Sequence, residues 1–248
     1  MRLNHHTKSG QGIVLVCLAS AVVDNFGLHY DLTPSELMVN MTELMSSDAE
    51  LIALNQANMD AAIDNLIAHG FCVVENACSA DLFSALLQES HELQAQFQRA
   101  AIAQGGHQQA IRGDCTRWLN PSDPAGGRYL ASLEKLGQYL NQQLYTGIRH
   151  VEAHYASYAP GDYYARHRDN PAHQQARVIS TVLYLNSHWD AVWHGQLQLQ
   201  DTAQHWHQIL PMPNRLVLFQ SELLHEVCAA SQPRNSIAGW LRRDDAVL

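Results

Sequence analysis

The chain has 248 residues, 46% of them hydrophobic and 16% charged, enough to bury a sizeable core and ordinary for a globular protein. Its formal net charge of −9, from 15 Lys+Arg against 24 Asp+Glu, leaves no basic footprint, so neither nucleic acid nor an anionic membrane is expected as a partner. The five cysteines (Cys17, Cys72, Cys78, Cys115 and Cys228) form no Cys-x-x-Cys pair, which argues against a thiolate zinc site or a disulfide framework and for a reducing, cytoplasmic setting.

The first notable stretch is the apolar run GIVLVCLASAVV at residues 12–23, behind Arg2 and Lys8. It is too short to span a bilayer. Its readings are a signal-peptide core with Ala19-Ser20-Ala21 as the cleavage site, an upstream extension before a start at Met38, Met41 or Met45, or an ordinary N-terminal helix or strand. The last two fit the rest of the chain better. Thr33-Pro34-Ser35-Glu36 reads as a helix start with proline in the first turn. Apolar positions Ala62, Leu66 and Ile67 predict a helix over 59–69, stopped by Gly70. FCVVEN, residues 71–76, reads as a strand. Ser79 is placed to cap a long amphipathic helix running to about residue 103. A polar loop at 104–109 and a Pro/Gly loop at 121–127 follow, and then a helix over 128–145.

From Arg149 the pattern changes to short β-rich runs: HVEAHYASY, ARVISTVLYLN, GQLQLQD, NRLVLFQ, HEVCAA and NSIAGWLRR, separated by Gly, Pro, Asn and Asp. Such spacing predicts a sandwich or jelly roll. The expected class is α+β, a double-stranded β-helix core buttressed by N-terminal helices. The expected organisation is 1–50 as an extension of unknown role, 51–148 as a helical support region with the first strands, and 149–243 as the jelly-roll core.

Three His-x-Asp tripeptides occur: His29-Tyr30-Asp31, His167-Arg168-Asp169 and His188-Trp189-Asp190. In a histidine-rich chain chance supplies such pairs, so context must choose among them. At a strand end, residues i and i+2 point to the same side and can hold one cation. His225, in SELLHEVCAA, lies where a barrel returns beside the His167 strand, and completes a two-histidine, one-carboxylate set of the kind that suits Fe(II). Nine residues further on, Arg234 can grip a carboxylate with two parallel hydrogen bonds. His188, together with His194, His205 and His207, reads as part of a histidine-rich surface loop, and His29 has no such company.

These residues resemble the Fe(II)- and 2-oxoglutarate-dependent dioxygenases of the prolyl 4-hydroxylase family, namely the hypoxia-inducible-factor type and its bacterial relatives. HGFCVVEN, IRGDCTRWL (111–119), YAPGDYYARHRDNP (158–171) and VLYLNSHWD all match stretches of that family, as does the nine-residue step from His225 to Arg234. The likeness covers residues 56 to 243. It implies that His167, Asp169 and His225 ligate Fe(II), and that Arg234 with the Tyr184 hydroxyl binds the far carboxylate of 2-oxoglutarate. It further implies that Tyr158 lies near the iron-bound end of that cosubstrate, that Tyr164 and Trp240 line the pocket of the target proline, and that Arg112-Gly113-Asp114 belongs to a structural and substrate-facing segment. O2 is the second cosubstrate, ascorbate keeps the iron reduced, and the partner is a protein bearing the proline, a translation factor such as elongation factor Tu being the candidate by analogy. The chain departs from the family in having His194-Gly195 where Gly-Gly is common, and Ala238 where threonine is common. An oxygenase of the same fold acting on a small molecule or free amino acid stays open, as do a cupin-type metal enzyme and a non-catalytic barrel.

Overall fold

A computed structural model of the protein describes residues 56–100, 112–170 and 176–243. The apolar run at 12–23, the helix start at Thr33, His29-Tyr30-Asp31 and the polar loop at 104–109 lie outside the described residues.

Helix α1 (Gln56–His69) buries Ala62, Ile63 and Leu66, one stripe at helical spacing. Gly70 ends it at φ +78°, where an added Cβ would meet the Thr202 methyl at 2.8 Å, and the chain turns into β1 (Phe71–Val74). This strand is two residues shorter than predicted. Helix α2 (Ala80–Glu92) is capped by Ser79, whose Oγ accepts the Leu82 N–H at 3.1 Å, and it buries Leu82 and Leu86 completely. It stops at Glu92, well before residue 103. A short 3₁₀ turn (Gln94–Gln96) leads instead into β2 (Gln98–Arg99), which pairs with β3 (Cys115–Trp118). The Phe97 ring meanwhile packs 6.2 Å from that of Tyr155. Helical spacing persists in the sequence here, but backbone pairing with a strand more than fifteen residues away wins over local propensity.

Helix α3 (Gly126–Leu144) begins on an imported cap. The buried Glu89 carboxylate of α2 accepts the Ala125 and Gly126 N–H groups at 2.7 and 2.8 Å, and the Tyr155 hydroxyl at 2.7 Å. An anion at a helix N-terminus meets both the unpaired amides and the dipole.

The predicted β-runs become β4 (His150–Tyr158), β6 (Arg177–Tyr184), β7 (Leu197–Gln200), β9 (Leu216–Gln220), β10 (His225–Val227) and β11 (Arg234–Arg242), with β5 (Tyr164–His167) and β8 (Trp206–Ile209) between them. They form two antiparallel sheets, ordered β1-β9-β6-β11-β4-β3-β2 and β5-β10-β7-β8. This is the expected jelly roll. Alternation along β4 sorts its side chains: Ala153 and Tyr155 join the core with the helices, while Ala156 and Tyr158 join Leu197, Leu199 and Val227 between the sheets. The helices thus cover the outer face of the large sheet and leave its inner face to the small one.

The histidine-rich loop is only partly a loop. His207 lies on β8, its ring 4.8 Å from that of Phe71, and the buried Asp201 carboxylate pairs with its Nε2 at 2.8 Å and accepts the His205 N–H at 2.8 Å. A β7–β8 hairpin held from inside by one aspartate places these histidines, which composition could not show. His194 takes φ +61° beside Gly195 at +71°, so the histidine adopts at that bend a backbone that glycine favours. Among the described residues no helix is long and apolar enough to cross a membrane.

Candidate active site

His167 closes β5 and His225 opens β10, and the two are direct partners in the antiparallel register, which brings their ring centroids to 4.2 Å. Asp169 follows in the bend after β5. Its oxygens lie 3.5 Å from His167 Nε2 and 3.6 Å from His225 Nε2, and one ligand atom from each residue falls within 4.8 Å of the others. Cis ligands about 2.1 Å from a metal sit about 3 Å apart, so a small inward shift gives a facial three-donor set.

The remaining ring nitrogens decide how the histidines can bind. His167 Nδ1 lies 2.8 Å from the Ala165 carbonyl and His225 Nδ1 2.9 Å from the Leu223 carbonyl. A carbonyl only accepts, so each Nδ1 carries the proton and each Nε2 keeps its lone pair for a metal. Ser180 donates to Asp169 Oδ2 at 2.7 Å and shares a 2.9 Å contact with the Ser221 hydroxyl, which fixes the carboxylate from behind. Burial pushes the Asp169 pKa up, but His225, His167 and Ser180 together outweigh it and hold the group well below the usual carboxylate range. Burial lowers His225 to about 4, against the opposing pull of Asp169. The donor set is therefore an anion and a neutral imidazole partnered by His167, which fits a divalent cation.

Arg234 is 2% exposed, and among the described residues no carboxylate pairs with it. Its Cζ lies 5.0 Å from the Tyr158 ring centroid and 5.1 Å from that of Tyr184. Register explains this: Arg234 faces Tyr158 on β4, and Tyr184 faces Ser236 on β6. Among the described residues neither the Arg234 Nε nor the Tyr184 hydroxyl meets a partner at good hydrogen-bond geometry, and the hydroxyl lies against the guanidinium. Burial raises the Tyr184 pKa, with Arg234 opposing, so the hydroxyl stays a donor. A buried cation with no carboxylate among the described residues, and a buried O–H beside it, can seat the carboxylate of a small acid. Tyr158, expected toward the iron-bound end of the cosubstrate, lies between two cations, Arg234 and Arg112.

Tyr164 stacks on His167 with centroids 3.6 Å apart and planes 17° apart. Trp240 is buried on the inner face of β11, beside His154 and under the Arg177 guanidinium at 3.8 Å. The Arg112-Gly113-Asp114 segment, singled out by the resemblance, lies beside Tyr164, whereas other neighbours escaped the sequence reading. Arg112 and Asp114 form a two-pronged ion pair at 2.6 and 2.9 Å, with the Arg112 Cζ 4.8 Å from the Tyr164 ring centroid. Gly113 between them has no room for a side chain, because a Cβ would meet Asp162 Oδ1 at 2.7 Å. His154, Arg177 and Ser180 carried no motif that could have flagged them; strand alternation alone puts them here. A groove of about 530 Å³ between α2 and residues 185–193 is lined by Leu87, His91, His188, Trp189 and Trp193 and includes none of these site residues.

A jelly roll with two histidines and a carboxylate at one edge, and a buried guanidinium on the facing sheet, defines a non-haem iron oxygenase. Residues 153–242 match the family model of the 2OG-Fe(II) oxygenase superfamily. A Pseudomonas putida prolyl-4-hydroxylase structure is 35% identical, matched over 74% of this chain and 98% of its own, with a TM-score of 0.69. A Trichoplax adhaerens prolyl hydroxylase, solved with a peptide fragment of the hypoxia-inducible-factor oxygen degradation domain, is 26% identical over 86% of this chain and 94% of its own, with a TM-score of 0.68. The human prolyl hydroxylase EGLN3 is 26% identical over 212 residues, 79% of this chain and 86% of the relative. The chain belongs to the prolyl hydroxylase family of the 2OG-Fe(II) oxygenase superfamily. It is a dioxygenase whose cofactor and cosubstrates are Fe(II), 2-oxoglutarate and O2.

Proposed function

We propose that the enzyme hydroxylates C4 of a prolyl residue in a protein substrate, with a translation factor such as elongation factor Tu as the candidate target and ascorbate maintaining the iron. One observation carries the reading: Arg234, a buried cation with no carboxylate partner among the described residues, shares the barrel interior with a three-donor metal set. The prolyl hydroxylases among its relatives support the substrate class. The described cysteines Cys72, Cys78, Cys115 and Cys228 are unbridged, which suits the cytoplasm.

On this reading His167, Asp169 and His225 hold the iron through Nε2, a carboxylate oxygen and Nε2. When bound, the metal and 2-oxoglutarate supply the oxidation: O2 is split, 2-oxoglutarate becomes succinate and carbon dioxide, and one oxygen atom enters an unactivated C–H bond. The protein supplies position. Arg234 and Tyr184 take the far carboxylate of the cosubstrate, Tyr158 packs beside them, and Ser180 keeps Asp169 in a single orientation. Tyr164 and Trp240 wall the approach of the target residue and exclude water from it.

Purified full-length protein supplied with Fe(II), 2-oxoglutarate and cell extract is expected to release succinate and leave hydroxyproline in one or a few proteins, found by mass spectrometry. His225→Ala should release none and retain no metal. Succinate release accompanied by an oxidised free metabolite, with hydroxyproline in no protein, would overturn the assignment.

A further inference from the structure

Six buried side-chain polar atoms have no hydrogen-bond partner among the described residues: the hydroxyls of Tyr129, Thr181 and Tyr184, Nδ1 of His154, Nε of Arg234 and Nε1 of Trp240. Such atoms are costly and call for a reason. Tyr129 and Thr181 lie against each other. Tyr184 and Arg234 form the carboxylate seat already described. His154 and Trp240 remain, and they are neighbours, with ring centroids 5.3 Å apart.

Both rings belong to the interior. His154 shares its face of β4 with Ala156 and Tyr158, and Trp240 shares its face of β11 with Arg234 and Ser236. His154 also lies close enough to Asp169 for the carboxylate to act on the ring. Trp118, half exposed, meets His154 edge-on at 4.9 Å and brings the pair to the rim of the site.

The tautomer of His154 follows from Arg112. The Arg112 Nη2 lies 3.3 Å from His154 Nε2, and a guanidinium has only donors, so Nε2 must accept. The ring is neutral, because burial and the cations Arg112 and Arg177 depress its pKa to about 3. Its one proton therefore sits on Nδ1, the atom that has no partner. The indole Nε1 is likewise donor only. The nearby acceptors are already engaged: Asp114 by Arg112, and Glu152 by Arg177 at 2.9 Å and Arg242 at 2.8 Å. Asp169 accepts from Ser180 and is committed to the metal set, so the two groups of this wall left without a partner among the described residues are both donors.

We infer that His154 Nδ1–H and Trp240 Nε1–H seat the carbonyl of the linkage preceding the target proline, and that this pairing selects proline. The inference rests on the prolyl reading above. Among the residues of a protein only proline lacks a backbone N–H, so its linkage presents an acceptor alone. Any other residue in that place brings a donor that this wall cannot satisfy, and leaves it stranded in a dry site.

The test uses the full-length enzyme and the best substrate from a proline-centred peptide array, in two forms: the normal peptide and one in which the carbonyl before the target proline is a thiocarbonyl, a weaker acceptor. Wild type should show about a tenfold lower kcat/KM on the thio peptide, since losing one hydrogen bond is worth about that factor. His154→Leu should lose about ten- to hundredfold in kcat/KM on the normal peptide. It should also erase most of the difference between the two peptides, with iron content and the 2-oxoglutarate dissociation constant unchanged. His154→Asn, whose amide places a donor near the old Nδ1 position, should restore much of the loss. If His154→Leu keeps the thio penalty, or loses iron and 2-oxoglutarate along with the peptide, the inference is wrong and the prolyl reading survives. If wild type consumes 2-oxoglutarate but hydroxylates no peptide on the array, the prolyl reading and this inference fall together. Should His154→Leu not fold, the wild-type thio penalty and the Asn variant still decide.

Discussion

Replacing Arg234 by methionine should stabilise the enzyme without its cosubstrate and abolish the stabilisation that the cosubstrate confers. The side chain is 2% exposed, and no carboxylate pairs with it among the described residues, so without 2-oxoglutarate the fold carries a buried cation compensated by two tyrosine ring faces about 5 Å away and by the neutral Tyr184 hydroxyl. Replacing even a buried ion pair by apolar residues of similar volume is often stabilising, by about 1–4 kcal/mol, and a cation with no carboxylate has less attraction to lose. For a protein of this size each kcal/mol shifts Tm by about 2–4 °C. The metal-loaded variant should therefore melt a few degrees above wild type when 2-oxoglutarate is absent. With cosubstrate at a hundred times its wild-type dissociation constant, wild type should gain about 2.7 kcal/mol, or roughly 5–10 °C, and the variant nothing. Zinc or manganese in place of iron keeps the reaction from proceeding during the melt, and metal content is read in parallel. A variant that melts lower than wild type without cosubstrate, or that still responds to 2-oxoglutarate, would show that Arg234 is an ordinary structural cation and would remove the central support for the proposed function.

Ser180→Ala should weaken metal affinity by about 10–100-fold while leaving the fold intact, because Asp169 Oδ2 loses its 2.7 Å donor but both imidazoles keep their carbonyl partners; a competitive chelator titration measures it. Glu89→Ala should cost about 3 kcal/mol and lower Tm by about 6–12 °C, since it strands two amides at the head of α3 and the Tyr155 hydroxyl, with no effect on 2-oxoglutarate affinity. Acid should destabilise the metal-free protein above the carboxylate range. Folded His154 and His225 stay neutral down to about 3 and about 4, whereas in the unfolded chain they protonate near 6.5. Their contribution is thus complete above about pH 6.5 and is lost as pH falls, with a slope that approaches about 1.4 kcal/mol per pH unit for each histidine. His154→Leu should halve that slope between pH 6 and about 4.5 in denaturant melts, and an unchanged slope would mean that the ring is solvated.

The sequence by itself named a candidate metal set. Joining His225 to His167 across 58 residues needed the expected return of a barrel and the family resemblance. The steps from His167 to Asp169 and from His225 to Arg234, by contrast, were readable because strand periodicity and fixed spacing act over short ranges, two residues and nine. The jelly roll was readable for the same reason, from β-runs broken by turn residues. The tertiary structure decided what depends on partners distant in the chain. It ended α2 at Glu92, where β2 finds β3, and it turned His207 from a loop residue into the inner partner of Asp201. It also revealed the wall of Arg112, His154, Arg177 and Trp240, two of which, His154 and Arg177, carried no motif of their own. A lone histidine in HVEAHYASY has no local signature of orientation, tautomer or company. Those came only from β4 lying between β3 and β11, which set the ring between two tryptophans and left a single N–H with no partner among the described residues.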